Sequence, residues 1–138
     1  MIAYLDTSSL VKLYVDEPGS ADVLALAKSA EAVATSRVAY VEAMAAFVRR
    51  LAAAHPTKAY RQTKEAFLKD WPDYLIIEVI DSISRLAADL AEKHHLRGFD
   101  CLHLASAVFL KNRVSRPVVF SSADKKLNQA AYKEGLGL

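Results

Sequence analysis

Short apolar runs alternate with longer stretches of helical periodicity along this chain. The apolar runs predict strands at 2–5, 75–80 and 118–120, and a weaker one at 32–34. The periodic stretches predict helices at 8–15, 21–30, 37–54, 58–70, from 81 or 82 to about 95, 100–111 and 124–133. Residues 16–20 form a loop, and Asp81 or Ser82 is expected to cap the helix that it opens.

This alternation predicts an α/β fold. Strands that are separated by helices run parallel and are joined by right-handed crossovers, which places helices on both faces of the sheet. Ligands of such sheets bind beyond the carboxyl ends of the strands. Residues that follow strands or begin the next helices are therefore the first candidates for catalytic or ligand-binding residues.

Composition narrows the class of protein. The 138 residues, with no linker, repeat or low-complexity segment, suit one domain over 1–138. The content of 53% hydrophobic and 25% charged residues predicts a soluble globular domain with no membrane segment. No basic region precedes an apolar one at the start, so no signal peptide is expected. Cys101 is the only cysteine, which excludes an intramolecular disulfide and a multi-cysteine zinc site and favours a reducing cytoplasm.

Charge adds little by itself. The net charge of +2 neither demands nor excludes a nucleic-acid partner. Basic residues are frequent in the last third, a pattern that is most often a solvated helical surface. These residues are Lys111, Arg113, Arg116, Lys125 and Lys126.

Three aspartates stand at strand ends or helix starts. Asp6 follows the first strand, Asp100 opens an apolar helix, and Asp124 follows the last strand. Each is also explained as a helix N-cap, because an aspartate oxygen accepts from the free N–H groups there. Ser122 is an equally good cap for the last helix.

Glu42 is harder to explain as a structural residue. Its neighbours one turn away are apolar, and an ionised carboxylate among them is costly unless a positive group meets it. Two structural alternatives remain open, an ion pair with Arg49 or a lone exposed glutamate.

The four carboxylates together point to a metal. If the first and later strands are neighbours, Asp6, Glu42, Asp100 and Asp124 converge at one edge of the sheet. Four ionised carboxylates cannot crowd together without a cation. Ligation by oxygen alone selects Mg²⁺ or Mn²⁺ over zinc, and such ions activate water for displacement at a phosphodiester.

Four motifs resemble those of the PIN-domain family, particularly the VapC-like toxins of toxin–antitoxin pairs. They are residues 2–10 (IAYLDTSSL), Glu42 in its helix, residues 99–107 (FDCLHLASA, the variant that carries histidine) and residues 122–127 (SADKKL). Each motif is weak alone, but the ordered set covers the whole chain and is fairly specific.

The resemblance implies a three-layer α/β/α sandwich around a parallel sheet. The family's sheet has five strands, but residues 135–138 stand where its last edge strand usually lies, so we expect four to five. The resemblance further implies Mg²⁺- or Mn²⁺-dependent cleavage of single-stranded regions of RNA, a homodimer, and neutralisation by a cognate antitoxin.

The resemblance also implies residue roles. Asp6, Asp100 and Glu42 would hold the principal metal, directly or through water, and Asp124 would complete the pocket or support a second ion. Water activated by the metal would be the nucleophile. Ser8 and Ser122 are expected to hydrogen-bond the carboxylates or a phosphate, and nearby Lys and Arg to bind the RNA backbone. His103 is left out of the metal site, because a lone histidine on an apolar helix is more often a hydrogen-bonded core residue.

Three other readings remain as alternatives. A phosphoacceptor receiver domain would use Asp6 and Asp81, but the chain lacks an adjacent acidic pair after the first strand and a late Lys-Pro pair. A PIN-like binding module without catalysis is the second, although all four carboxylates are present. A haloacid-dehalogenase-like phosphatase is disfavoured, because Asp6-Thr7-Ser8 lacks the second aspartate of that class.

Overall fold

Four parallel strands form the centre of the structure, a computed structural model that describes residues 1–138. They are β1 (Ile2–Leu5), β2 (Ala32–Ser36), β3 (Leu75–Ile77) and β4 (Val118–Ser121), in the order β3-β2-β1-β4. β1 is wholly buried, as expected for a central strand that is covered on both faces. Its predicted bounds are confirmed, and it lies beside the later strand β4, which is the condition for the carboxylates to converge.

Seven α-helices and one 3₁₀ turn surround the sheet. The helices are α1 (Thr7–Val11), α2 (Ser20–Ser29), α3 (Val38–Leu51), α4 (Lys58–Asp70), α5 (Asp81–His94), α6 (Gly98–Lys111) and α7 (Lys125–Lys133), and the 3₁₀ turn is Trp71–Asp73. No helix is both long and apolar enough to cross a membrane.

The side chains of β1 point alternately to two separate cores, because the side-chain period of a strand is two. Ala3 and Leu5 lie in a core with α1 to α4, where Phe47 is fully buried. Ile2 and Tyr4 lie in the other core, with α5, α6 and α7. The predicted α/β/α sandwich with a parallel sheet is thus confirmed, with four strands.

The carboxyl ends of the neighbouring strands β2, β1 and β4 lie at one edge of the sheet. Leu5 of β1 is level with Ser121 of β4, and the backbone N–H of Asp6 extends this pairing with a hydrogen bond to the Ser121 carbonyl at 3.1 Å. On the other side, Thr35 of β2 donates a buried hydrogen bond of 2.7 Å to the Leu5 carbonyl. The residues that follow β1 and β4 are therefore held side by side.

Several predicted boundaries are wrong. The strand expected at 75–80 ends at Ile77, because β2 ends at Ser36, which pairs with Ile77, and leaves no partner strand for 78–80. The first helix ends at Val11 instead of 15, and the helix expected at 37–54 ends at Leu51. No strand forms at 135–138, so the fifth strand is absent.

The cap expected for α5 is also wrong. Ile80 occupies the N-cap position without a side-chain hydrogen bond. Asp81 lies inside the first turn and pairs with Arg85 one turn later, at 2.7 Å and on an exposed surface.

Candidate functional site

Asp6 both caps a helix and faces the candidate site. It lies at the N-cap of α1 with only 5% of its surface exposed. Its Oδ1 accepts hydrogen bonds from the Ser9 N–H at 3.0 Å and from the Ser8 hydroxyl at 2.6 Å. Because both bonds use Oδ1, Oδ2 remains available to a ligand.

Glu42 is held by two partners from other elements. It lies in the second turn of α3, half-buried, and its Oε1 accepts from the Thr7 hydroxyl at 2.6 Å and lies 3.0 Å from Nε2 of His103. Burial raises the pKa of Glu42, but the hydrogen bonds with His103 and Thr7 together outweigh it and hold the pKa below the usual value. Both structural alternatives are wrong: Glu42 forms no ion pair with Arg49 and is not a lone exposed side chain.

His103 is a hydrogen-bonded core residue, as predicted, but it also touches the site. Only 3% of it is exposed. Its Nδ1 lies 2.9 Å from the Tyr4 hydroxyl, and its Nε2 lies 3.2 Å from Thr7 Oγ1 in addition to its contact with Glu42. Sequence reasoning missed the roles of Thr7 and His103 in holding Glu42. The sequence does carry a signal for both residues, because Thr7 directly follows Asp6 and His103 lies one helical turn after Asp100.

Asp100 is not an N-cap, so that structural reading is wrong. α6 begins at Gly98 with Arg97 as its N-cap, which leaves Asp100 inside the first turn. Its carboxylate forms no salt bridge. Burial, followed by the negative charges of Asp124 and Asp6, raises the pKa of Asp100. Asp6 and Asp124 thus both lie close enough to Asp100 to repel its negative charge.

Asp124 is the N-cap of α7. Its Oδ1 accepts from the N–H groups of Lys126 at 2.8 Å and Leu127 at 3.2 Å, which leaves Oδ2 unengaged. Ser122 is not the cap; its hydroxyl instead accepts from the Asp124 N–H at 3.0 Å. Asp124, like Asp6, therefore caps a helix with one carboxylate oxygen and keeps the other free for the predicted metal.

Two serines join the segments that follow β1 and β4. The Ser8 hydroxyl donates to Asp6, accepts from the Ala123 N–H at 2.9 Å, and lies 3.4 Å from the Ser122 hydroxyl. These contacts fix Asp6 relative to the turn that carries Asp124. Ser8 thus hydrogen-bonds the Asp6 carboxylate, whereas Ser122 contacts only the backbone of Asp124 and the Ser8 hydroxyl.

An open groove of about 440 Å³ connects most of these residues. Asp6, Glu42 and Asp100 line it, and Asp124 stands beside it. The groove also has a basic and an apolar wall, formed by Arg49, Arg50, Val41 and Phe99. Arg49 makes no salt bridge, so its charge is available to a ligand in the groove.

The donor set fits a hard divalent cation. No three His, Cys, Asp or Glu side chains come together closely enough to enclose an ion by themselves. Each of the four carboxylates nevertheless has at least one oxygen that accepts no hydrogen bond. The atoms that are free to bind a metal are therefore all oxygens. Mg²⁺ suits such a set, because it keeps several waters and takes only one or two protein carboxylates.

The chain matches known proteins over nearly its whole length. The PIN domain family model matches residues 3–133. Two curated relatives, ribonuclease VapC45 and ribonuclease VapC49 from two strains of Mycobacterium tuberculosis, are each 34% identical over 140 residues, covering 97% of this chain and 92% of theirs.

Solved structures share the fold at low sequence identity. VapBC2 from Rickettsia felis, bound to a DNA fragment from its promoter, has a TM-score of 0.65 at 14% identity, covering 94% of this chain and 92% of that one. A toxin–antitoxin complex from Klebsiella pneumoniae has a TM-score of 0.64 at 19% identity, with coverages of 90% and 88%. FitAcB from Neisseria gonorrhoeae has a TM-score of 0.63 at 17% identity, with coverages of 96% and 94%.

Proposed function

The chain belongs to the PIN-domain family, and from that premise we propose that it is an endoribonuclease, the toxin of a toxin–antitoxin pair. The whole of 1–138 acts as one nuclease domain that hydrolyses single-stranded regions of RNA with Mg²⁺ or Mn²⁺. The observation that carries this proposal is the groove in which Asp6, Glu42 and Asp100 each present an unengaged oxygen, with Asp124 beside them.

The four carboxylates of this site are not neutralised by direct ion pairs within the chain, although Arg49 and Arg50 line the same groove. None of the four carboxylates pairs with a lysine or an arginine, and the only charged-type contact is between Glu42 and His103. Burial and the neighbouring charges of Asp124 and Asp6 raise the pKa of Asp100, as expected for a carboxylate that no cation meets. A divalent cation relieves this repulsion, and oxygen donors select Mg²⁺ or Mn²⁺.

The residues have distinct tasks in the proposed reaction. Asp6, Asp100 and Glu42 would hold the principal ion, directly or through its bound waters, and Asp124 would complete the pocket or support a second ion. When bound, the ion activates water and stabilises charge at the scissile phosphodiester. Ser8 and Ser122 keep the segments after β1 and β4 in register, so that Asp6 and Asp124 stay on the same side of the groove. No protein side chain needs to act as the nucleophile.

The basic wall of the groove binds the RNA backbone. Arg49 is unpaired, whereas Arg50 also contacts Glu17 at 3.4 Å. Contacts from such groups to phosphate position the strand without reading its sequence. The buried, unpaired thiol of Cys101 suits a reducing cytoplasm, where the RNA substrate is found.

We further propose two protein partners. An antitoxin neutralises the enzyme by placing a cationic side chain among the carboxylates, since they carry uncompensated charge. A second copy of the chain packs on an apolar patch that consists of Val41, Val48 and Phe99, which are 69%, 42% and 60% exposed. Large exposed apolar side chains that lie together mark interaction sites.

No observation favours the receiver-domain alternative. Asp81 is highly exposed, pairs with Arg85 and does not line the groove that contains Asp6. A phosphoacceptor aspartate would have to face the acidic centre. The PIN-like module without catalysis remains as the outcome that the following experiment separates from the enzyme.

The test is cleavage of an unstructured RNA by the purified protein. We expect cleavage with Mg²⁺ or Mn²⁺, none with excess EDTA, and recovery when metal is returned. Binding of RNA without cleavage under any metal would indicate the non-catalytic module, and undiminished cleavage in metal-stripped buffer would exclude the metal mechanism. Expression of the gene alone in its host should arrest growth, and harmless high-level expression would contradict the toxin role.

A further inference from the structure

His103 connects the core of the protein to one of the proposed metal ligands. It is buried on α6, with its two ring nitrogens facing different partners. Nδ1 faces Tyr4 of the central strand β1 at 2.9 Å, and Nε2 faces Glu42 of α3 at 3.0 Å. Three elements that are distant along the chain thus meet at one imidazole.

The partners of His103 determine which ring nitrogen must carry a proton. Tyr4 is fully buried and stacks on Phe120 at a centroid distance of 5.4 Å, and its hydroxyl lies 2.9 Å from Nδ1 and also near the Ser106 hydroxyl. The Glu42 carboxylate can only accept a hydrogen bond, so Nε2, which lies 3.0 Å from Oε1, carries a proton whichever partner Tyr4 donates to.

We propose that His103 is a positioning residue for Glu42: Nδ1 is held by a hydrogen bond with Tyr4, and the Nε2–H donates to Glu42 Oε1, which turns Oε2 toward the groove. This inference rests on the proposed function, since it assigns Glu42 to the metal. Thr7 donates to the same Oε1, so both hydrogen bonds act on one oxygen and leave the other free. The arrangement resembles the way in which partners beyond the ligands orient metal-binding side chains in other proteins.

His103 is not itself a metal ligand in this arrangement. A ligand histidine needs one nitrogen with a free lone pair directed at the ion. Nδ1 is occupied by Tyr4, and Nε2 points its proton at Glu42 with Thr7 Oγ1 also at 3.2 Å. Only 3% of the residue is exposed, and the network reaches the groove through Glu42, Thr7 and the edge of His103.

The first test reads the tautomer directly and needs neither metal nor activity. Nitrogen-15 chemical shifts of the His103 ring in the metal-free native protein, at pH 7, should show a protonated Nε2. Tyr4→Phe should leave Nε2 protonated, because the Glu42 carboxylate and the stack with Phe120 are both retained. A ring with an unprotonated Nε2 would overturn the proposal.

The second test compares two amide replacements that differ in reach. The amide of His103→Gln reaches the position of Nε2 and can donate to Glu42, whereas that of His103→Asn reaches only the position of Nδ1 and can serve only Tyr4. Loss of an outer partner weakens metal binding by roughly 10- to 100-fold. We expect this loss in the affinity for Mn²⁺, measured by calorimetry, for His103→Asn, and near-native affinity for His103→Gln.

Kinetics provide a second readout of the same pair. The asparagine variant should lose kcat and require more Mn²⁺ for half-maximal activity, while KM for RNA stays unchanged, since His103 does not touch the strand. Equal Mn²⁺ affinity in wild type and His103→Asn would overturn the positioning role. If wild type itself bound no Mn²⁺, the metal proposal would fail instead, and the tautomer measurement would still decide the assignment of the ring.

Discussion

The Thr7 hydroxyl donates a hydrogen bond of 2.6 Å to Oε1 of Glu42, across 35 positions of the chain. Thr7 is the first residue of α1, and Glu42 lies on α3, which packs against it. The Thr7 hydroxyl and the His103 imidazole hold this carboxylate by hydrogen bonds, and together they stabilise its charged form. Such an arrangement keeps a carboxylate ionised and still attractive to a cation.

Glu42→Gln should destabilise the metal-free protein at pH 7 by roughly 1 kcal/mol, a value reduced for the partial exposure of the side chain. The folded-state pKa of Glu42 lies below its ordinary value of 4.5. Its contribution to stability is therefore present above pH 4.5 and is lost as the pH falls through the lowered pKa. Denaturant melts between pH 3 and 7 should converge at the acidic end. Glu65→Gln, an exposed acid on α4, is the control and should match wild type throughout.

Asp6→Asn and Asp100→Asn should each reduce RNA cleavage by about a hundredfold or more, because a metal ligand supplies several kcal/mol of charge stabilisation. Asparagine caps a helix about as well as aspartate, so the fold around Asp6 should persist. Circular dichroism and cleavage assays on the same preparations measure both. Asp81→Asn, an exposed acid outside the groove, should retain full activity. Full activity in either groove variant would remove that residue from the site.

Metal should stabilise the wild-type protein more than it stabilises the Asp100→Asn variant. Binding of Mn²⁺ to the folded state contributes about 2.7 kcal/mol at one hundred times the dissociation constant. Without metal, Asp100→Asn should melt no lower than wild type at pH 7. The pKa of Asp100 is raised, so this carboxyl favours the fold below its ordinary pKa and loses that contribution as the pH rises through the raised value. Equal melting temperatures for both proteins, with EDTA and with Mn²⁺, would mean that no shared site exists.

Arg49→Ala should weaken RNA binding without changing the fold. Arg49 lines the groove and has no acidic partner to leave unpaired. Loss of one phosphate contact should reduce the slope of the logarithm of affinity against the logarithm of salt concentration by about 1. Fluorescence anisotropy with a catalytically inactive background variant measures this slope. Lys28→Ala, an exposed cation on α2, should leave it unchanged.

Val41→Glu combined with Val48→Glu should convert a dimer to a monomer. These residues are seven positions apart on α3 and share one exposed face, and burial of two carboxylates in an apolar contact is costly. Light scattering after size-exclusion chromatography gives the mass directly. Leu24→Glu introduces the same charge at a 43% exposed leucine on α2 and should not alter the mass. A wild-type protein that is monomeric at high concentration would exclude this interface.

Local sequence was sufficient to predict the elements whose formation depends on residues a few positions away in the chain. The four apolar residues of β1 and the bounds of α4 match the prediction, because strand composition, caps and helix-stopping residues act within a few positions. The four candidate carboxylates were also visible, since each interrupts an apolar pattern or follows a strand. The expectation of a family resemblance rested on the same local motifs.

Tertiary structure decided everything that depends on which elements become neighbours. β3 is short because β2 ends opposite Ile77, a fact that the apolar run at 75–80 does not contain. The partners of Glu42 are Thr7 and His103 instead of the nearby Arg49, because α1 and α6 approach α3 only once β1 is packed between the two cores. Which oxygen of each carboxylate is left free depends on those long-range contacts. Sequence alone therefore identified the candidate ligands, whereas packing around the central strand determined their geometry.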